Sequence, residues 1–465
     1  MIYDLTIQNV NVVTSKDTFY GGVAVKDGVI ACLFIGNEAP ESARTIDGMG
    51  KWLIPGGVDA HVHIRYPGSA HRENFLTGTQ AAAAGGTTTI VEHPISTPPQ
   101  YSPEILQKRV EAMEEQSIVD CAFLGAAGGE YLDEIERVGR AGIVGYKTFL
   151  HAAPEGREAE FQGLTSRNNY ELQQVLRRIK QTGLLAAAHT EDNDLVVGNI
   201  ADLRRRGETY PLAHCLSRPP VVEVLAVQRL LTLAQEIGAR VYLVHISTPE
   251  AVELAQEARA KGMEIYLETC PQYLYMDETY LEKYGAYAKC NPALRTPETV
   301  EKMWKYIENG AFDVVSSDHA PYTVEEKERD KRDIFVAPAG FPGLEIRIPF
   351  MMKAVKDGRI SLARAVQLLC TNPARIYGLE AKGDIAPGKD ADMVLLDPYE
   401  EFELDHKKMY TQAKDICWFM DGTRVSGQAK MTIVRGAVVY QEGTWGVEAG
   451  YGRWIRPGCR QGRDA

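Results

Sequence analysis

The two ends of the chain carry period-two alternation, whereas the middle does not. Leu5-Thr6-Ile7-Gln8-Asn9-Val10 alternates as a strand with one buried face does. Val23-Ala24-Val25 running into Asp27-Gly28 predicts a hairpin. The far end repeats this texture. Asp392-Met393-Val394-Leu395-Leu396 is a predicted strand, and Lys430-Met431-Thr432-Ile433-Val434 before Arg435-Gly436 predicts a second hairpin. In between, apolar runs of strand length fall at 58–64, 87–92, 118–125, 143–149, 184–189, 241–246, 264–269 and 312–317, and helices are predicted at 170–182, 221–237, 249–261 and 297–309. Pro103-Glu104, Thr248-Pro249-Glu250 and Thr296-Pro297-Glu298 read as helix starts, because proline fits a first turn that needs no N–H partner. Eight apolar runs separated by helical segments predict an α/β fold, a (β/α)8 TIM barrel. Residues 56–383 are assigned to the barrel, and 1–55 with 384–440 to a small β-sandwich domain built from both chain ends. Residues 441–465, with Trp445 and Trp454 and no periodicity, are assigned to a C-terminal tail packed on a neighbouring subunit. The Pro- and Gly-rich stretch 322–345 is expected to lie over the barrel mouth as an active-site loop.

Composition narrows the function. Of 465 residues, 45% are hydrophobic and 25% charged, which excludes a disordered chain, a collagen-like fibre and a small disulfide scaffold. Lys and Arg number 51 against 63 Asp and Glu, a net charge of −12 that lacks the basic footprint of a nucleic-acid binder. No 18-residue uncharged apolar run is present, so no transmembrane helix is expected. Asp4 stands where a signal peptide wants a basic residue and no long apolar stretch follows, so a cytoplasmic location is expected. The eight cysteines are scattered without a C-x-x-C pair, and all are read as core residues rather than zinc ligands.

The chemistry gathers at the ends of the apolar runs. Asp59-Ala60-His61-Val62-His63 places two imidazoles two residues apart in a strand, hence on one side, where they can hold a divalent metal. His189 ends the fifth run, His245 the sixth, Asp318 follows the eighth, and Lys147 lies near the end of the fourth. In a barrel these strand ends converge on one mouth, and six metal-competent or ionisable groups at five strand ends exceed what core packing explains. Lys147 admits two readings. It is a lysine that pairs with a substrate or carboxylate, or it is carboxylated by CO2. Burial favours the neutral amine that such a reaction needs. With two dications, a carbamate, Asp318 and a bridging hydroxide leave one net positive charge at the centre, whereas an ammonium leaves three.

Taken in order, a set of motifs then resembles the cyclic amidohydrolases: dihydropyrimidinase/hydantoinase, allantoinase and dihydroorotase. They are Pro55-Gly56-Gly57-Val58-Asp59-Ala60-His61-Val62-His63, Thr77-Gly78-Thr79 with Gly85-Gly86-Thr87-Thr88, and Gly145-Tyr146-Lys147. The likeness continues in Ser217-Arg218-Pro219-Pro220, Glu268-Thr269-Cys270-Pro271-Gln272-Tyr273-Leu274, Ser317-Asp318-His319-Ala320-Pro321 and Gly383-Asp384-Ile385-Ala386-Pro387-Gly388-Lys389-Asp390-Ala391-Asp392. The resemblance implies two divalent metal ions, zinc in this family. His61, His63 and Asp318 would hold one ion, His189 and His245 the other, and CO2-carboxylated Lys147 would bridge. It implies ring opening by metal-bound hydroxide, with Asp318 as the proton shuttle, in a homodimer or homotetramer.

The subgroup motifs point in different directions. Arg65 and Asn291 resemble the dihydroorotases, where the arginine grips a substrate carboxylate, but Ile95 and Tyr322 replace an Asn and a His of that pattern. Gln272 resembles the hydantoinases, but Ala152, Asn291 and Ala339 stand in place of their Tyr, Ser and ring-contacting Asn. Tyr66-Pro67-Gly68-Ser69-Ala70-His71 resembles allantoinase. A hydantoin-, dihydropyrimidine- or allantoin-type ring is favoured. Dihydroorotate, a cyclic imide and a non-catalytic dihydropyrimidinase-related scaffold are the alternatives. Arg65 either receives a carboxylate or pairs with a local acid such as Glu73 or Glu92. His71, His93 and His151 are expected at the pocket rim, His319 behind the ligands, and His214 and His406 at the surface or on helices.

Overall fold

The computed structural model describes residues 2–458, and Cys459 with the end of the expected tail lies outside them. Each of the eight apolar runs overlaps a barrel strand: Gly57–Val62, Thr87–Glu92, Asp120–Ala126, Gly145–Phe149, Leu185–His189, Val241–Leu243, Ile265–Thr269 and Val314–Val315. They pair in parallel in sequence order. The ring closes where Val62 bridges His319, with the His63 N–H donating to the His319 carbonyl at 2.9 Å. The strands are buried on both faces. Ala122, Leu124, Leu185, Ala187, Tyr242 and Val314 fill the interior, while Ile90, Phe123, Tyr146, Ala186, Leu243 and Leu267 meet the surrounding helices. This two-sided burial explains why the runs read as continuous rather than alternating. Asn169–Thr182, Pro220–Ile237, Pro249–Ala260 and Pro297–Glu308 form as expected, the last three with proline in the first turn. Arg347, fully buried, donates to the carbonyls of Val58, Val315 and Leu369, tying the first strand to the eighth from below.

Both chain ends meet in one nine-stranded sheet. Tyr3–Val13, Thr18–Lys26 and Val29–Ile35 continue through Trp52–Pro55 into Met393–Leu396, Met431–Val434 and Ala437–Gln441. Leu5, Ile7, Val12 and Val25 share a core with Met393, Leu395 and Ile433. The predicted hairpins turn at Asp27-Gly28 and Arg435-Gly436, with all four residues at positive φ. One part of the range assigned to the small domain departs from the expectation. Within 384–440, residues 401–426 leave the sheet. Glu401–Glu403 pairs only with Arg424–Ser426, and Leu404, Met409, Ile416 and Phe419 pack against Tyr273, Tyr322 and Phe341 of the barrel, so their apolar side chains serve its core. The tail also docks on its own chain: Thr444–Trp445 extends the sheet, and Cys121 exchanges backbone hydrogen bonds with Arg453 and Ile455. Among the described residues no helix is long and apolar enough to cross a membrane, and seven cysteines are free.

Candidate active site

The carboxyl ends of the barrel strands open into a cavity of about 950 Å³ lined by all ten singled-out residues: His61, His63, Arg65, Lys147, His189, His245, Asn291, Asp318, Tyr322 and Ala339. His61 is the penultimate residue of the first strand and His63 follows that strand, Lys147 lies within Gly145–Phe149, and His189 closes Leu185–His189. Three of the residues just beyond strand ends, Arg65, His245 and Asp318, adopt positive φ of 61°, 40° and 48°. L-residues rarely take this conformation, and it persists where the surroundings enforce it.

The imidazoles form two facing pairs. His61 Nε2 lies 3.1 Å from His63 Nε2, and Asp318 Oδ1 is 3.4 Å from both. His189 Nδ1 lies 2.9 Å from His245 Nε2. Behind each pair stands a buried carboxylate. Glu268 Oε1 is 2.8 Å from His61 Nδ1, and Glu191 Oε2 is 2.9 Å from His189 Nε2. A carboxylate accepts, so these nitrogens carry the protons, and the bare lone pairs of His61 Nε2 and His189 Nδ1 point inward. Burial pushes His61, His63 and His245 well below the usual imidazole range, so they are neutral, the ligand form. The Lys147 amine is fully buried and has no hydrogen-bond partner among the described residues, 5.0 Å from the Phe149 ring centroid. Burial lowers its pKa and raises that of Asp318. Two converging nitrogen pairs, an adjoining carboxylate and an orphaned amine fit a site for divalent cations.

The comparisons with known proteins agree with this donor set. The Amidohydrolase family profile matches residues 52–439. The chain belongs to the amidohydrolase family. Its relatives place it among the cyclic amidohydrolases, enzymes that are metal-dependent hydrolases. L-hydantoinase of Paenarthrobacter aurescens is 33% identical over 460 residues, 98% of each chain. Allantoinase of Salmonella choleraesuis (strain SC-B67) is 34% identical over 444 residues, 95% of this chain and 96% of that one. Among solved structures, L-hydantoinase from Arthrobacter aurescens superposes with a TM-score of 0.93 at 32% identity, covering 98% of this chain and all of the other. Dihydropyrimidinase from Brevibacillus agri NCHU1002 gives 0.89 at 31%, covering 97% and 98%.

Within this amidohydrolase the wall beside the imidazoles is cationic. The fully buried Arg65 donates through Nη1 to the Pro321 carbonyl at 2.8 Å and through Nη2 to the Tyr322 hydroxyl at 3.1 Å. Its guanidinium does not pair with Glu73 or Glu92. Glu92 takes its backbone N–H instead, and Glu73 binds Thr77, Thr411 and the Gln412 N–H. Arg72 and Arg157 also stand over the Tyr322 ring but are held by Glu160, and Arg72 by Glu326 as well.

Several functional neighbours escape a reading of the sequence. Glu268 lies one residue before the end of Ile265–Thr269 and obeys the rule that picks out the histidines. Glu191 follows His189 by two residues and shares its side. Arg72, Arg157 and Arg218 sit on loops with no periodic signal. His151, His93 and His319, expected near the pocket or behind the ligands, do lie there: His151 lines the cavity. His93 stacks on His61 with centroids 3.8 Å apart, and His319 is buried beside Glu73. His214, expected at the surface or on a helix, lies on the short helix Ala213–Ser217, buried against the Cys290 carbonyl.

Proposed function

We propose that this amidohydrolase opens a cyclic amide or ureide of hydantoin, dihydropyrimidine or allantoin type. His61, His63 and Asp318 would hold one zinc ion and His189 and His245 a second, with carboxylated Lys147 bridging them. The observation that carries this reading is the pair of inward-facing lone pairs, each fixed by its own buried carboxylate, beside an amine without a partner. To become a bridge, the Lys147 amine forms a C–N bond with CO2 and releases a proton to water. When bound, the two ions lower the pKa of a shared water and polarise the scissile carbonyl. Asp318, whose basicity burial raises, takes the proton of the attacking water and delivers it to the ring nitrogen as the C–N bond breaks. Asn291 Oδ1, buried without a partner on the cavity wall, accepts a ring N–H. Ala339 leaves room for the ring.

A second reading concerns what the ring carries. Arg65 is a buried cation with no carboxylate on its guanidinium, and it faces the cavity. An acid-bearing ring such as dihydroorotate would supply the missing anion. The Tyr322 hydroxyl and ring hold Arg65 in place for it. A homodimer or homotetramer belongs to the same proposal: Val197, Leu216, Val221 and Leu225 on three successive helices leave apolar surface that a second copy would cover.

The test is a ring-opening screen over allantoin, hydantoin, dihydrouracil, dihydroorotate and succinimide, with wild type and Arg65→Met. At least one ring is expected to open. On an acid-bearing ring Arg65→Met is expected to lose about 10- to 100-fold in kcat/KM, the worth of a charged hydrogen bond, and far less on neutral rings. Metal-loaded protein that opens none of the five would sink the proposed activity.

A further inference from the structure

Two buried lysines, Lys289 and Lys327, serve no role in the reaction outlined above. Lys289 follows the turn Gly285–Ala288, and Lys327 ends the short helix Val324–Lys327. Among the described residues their hydrogen bonds go to backbone oxygens, and Lys327 Nζ also stands 5.4 Å from the Tyr322 ring centroid. Lys289 Nζ donates to the Ile334 carbonyl at 2.7 Å and to that of Ala337, and Lys327 Nζ to those of Ala286 and Pro338, each at 3.0 Å. Lys289 is 5% exposed and Lys327 1%. Burial is the largest cause lowering both pKa values, Lys327 to about 7 and Lys289 well below its ordinary range. A neutral amine carries two N–H donors, and each lysine has two carbonyls to satisfy, so the contacts survive without a buried charge.

The stretch they grip has no regular structure of its own, yet residues 335–340 all line the cavity. At its start the Ile334 N–H donates to the Thr209 carbonyl at 3.0 Å, the Phe335 N–H to Asp333 Oδ1 at 2.9 Å and the Val336 N–H to the Asp333 carbonyl at 3.1 Å; at its end the Gly340 N–H donates to the Lys289 carbonyl at 2.8 Å, and the Ala320 N–H to the Phe341 carbonyl at 3.1 Å. Backbone outside helices and sheets ordinarily opens easily, and the carbonyls of Ile334, Ala337 and Pro338 are held by the two lysines. Here Asn291 stands two residues from Lys289, and Ala339 lies between the gripped Pro338 and Gly340.

We propose that Lys289 and Lys327 are positioning residues of the ring-opening site: with two carbonyl contacts each, they hold residues 334–340 against the Lys289–Asn291 turn as one wall and so set the gap between Asn291 and Ala339 that receives the ring. The inference rests on the proposed ring opening, and one arm of its test does not depend on turnover. On the ring opened best by wild type, Lys289→Met and Lys327→Met should raise KM about 10-fold, the worth of one or two neutral hydrogen bonds, with kcat and metal content little changed. Lys289→Arg, which keeps donors, should recover part of that loss. Independently, hydrogen exchange of peptides spanning 334–340 should be slow in the wild type and about 10-fold or more faster in Lys289→Met, with Ile265–Thr269 unaffected. An unchanged KM in folded Met variants, or wild-type exchange of 334–340 as fast as an unstructured peptide, overturns the proposal. If the Met variants do not fold, the wild-type exchange and the KM of Lys289→Arg still decide it. If wild type opens no ring, the function fails while the exchange arm still reports on the wall.

Discussion

A neutral imidazole has one proton and one lone pair, and the group behind the ring decides which nitrogen holds which. Glu268 and Glu191 do this for His61 and His189, and Glu191 is itself held by Arg218, whose Nε is 3.2 Å away. Glu191→Gln keeps the shape and removes the charge, so affinity at the His189–His245 pair is expected to fall about 10-fold or more, measured by competition with a chromophoric chelator. Equal affinities would leave Glu191 a packing residue. Asp318→Asn should cut turnover about 100- to 10,000-fold while retaining part of the metal, since an amide oxygen can bind an ion but cannot carry the proton. A variant with wild-type rate would remove Asp318 from proton transfer. The six candidate ligands could be picked out of the sequence because a barrel brings its strand ends together whatever lies between them, and the structure brings His61, His63 and Asp318, and His189 and His245, within reach of each other. Arg157 was not legible, because a side chain on a long loop is placed by its partners, here Glu160 and the Tyr322 ring, rather than by a period.

The floor of the barrel depends on one carboxylate. Asp120 begins the third strand, opposite the mouth, and receives Lys382 Nζ at 2.5 Å, the Arg435 guanidinium and the Arg453 N–H at 2.9 Å. Lys382 also meets Asp390 and Asp392 at 2.8 Å. A strand, the connection into the sheet, a hairpin turn and the tail therefore converge on a single buried group. Asp120→Asn should cost about 3 kcal/mol, the low end for breaking a buried pair because Lys382 keeps two other acids, with little effect on kcat. The denaturant midpoint reads this, and an unmoved midpoint would show that the network carries no stability. None of this was visible in the sequence: Asp120, Lys382 and Arg435 are separated by 262 and 53 positions and share no pattern. The strands themselves were visible, because two-sided burial writes continuous apolar runs and one-sided burial writes alternation. The excursion at 401–426 was hidden because its apolar residues are spaced neither way and are buried by the barrel rather than by their own neighbours.

The whole molecule joins these levels through Lys147. An amine buried in the barrel with no partner, next to imidazoles held neutral, is costly unless something occupies the space between them. CO2 and two cations would resolve that cost together. The carbamate would be an anion that needs the cations to persist, and the cations would need an anion at this position to keep the centre's charge low. Each should therefore bind poorly without the other, and the protein should gain thermal stability only when both are present, because ligands that bind only the folded state raise its melting temperature by mass action. Protein stripped by a chelator in CO2-free buffer and then given zinc alone should regain little activity and little of its melting temperature. Zinc with bicarbonate should restore both, with about two ions per chain. Lys147→Met should bind fewer ions and show no response to bicarbonate. Full recovery on zinc alone, in buffer held free of CO2, would mean that Lys147 acts as an amine and that the cations are bridged by something else.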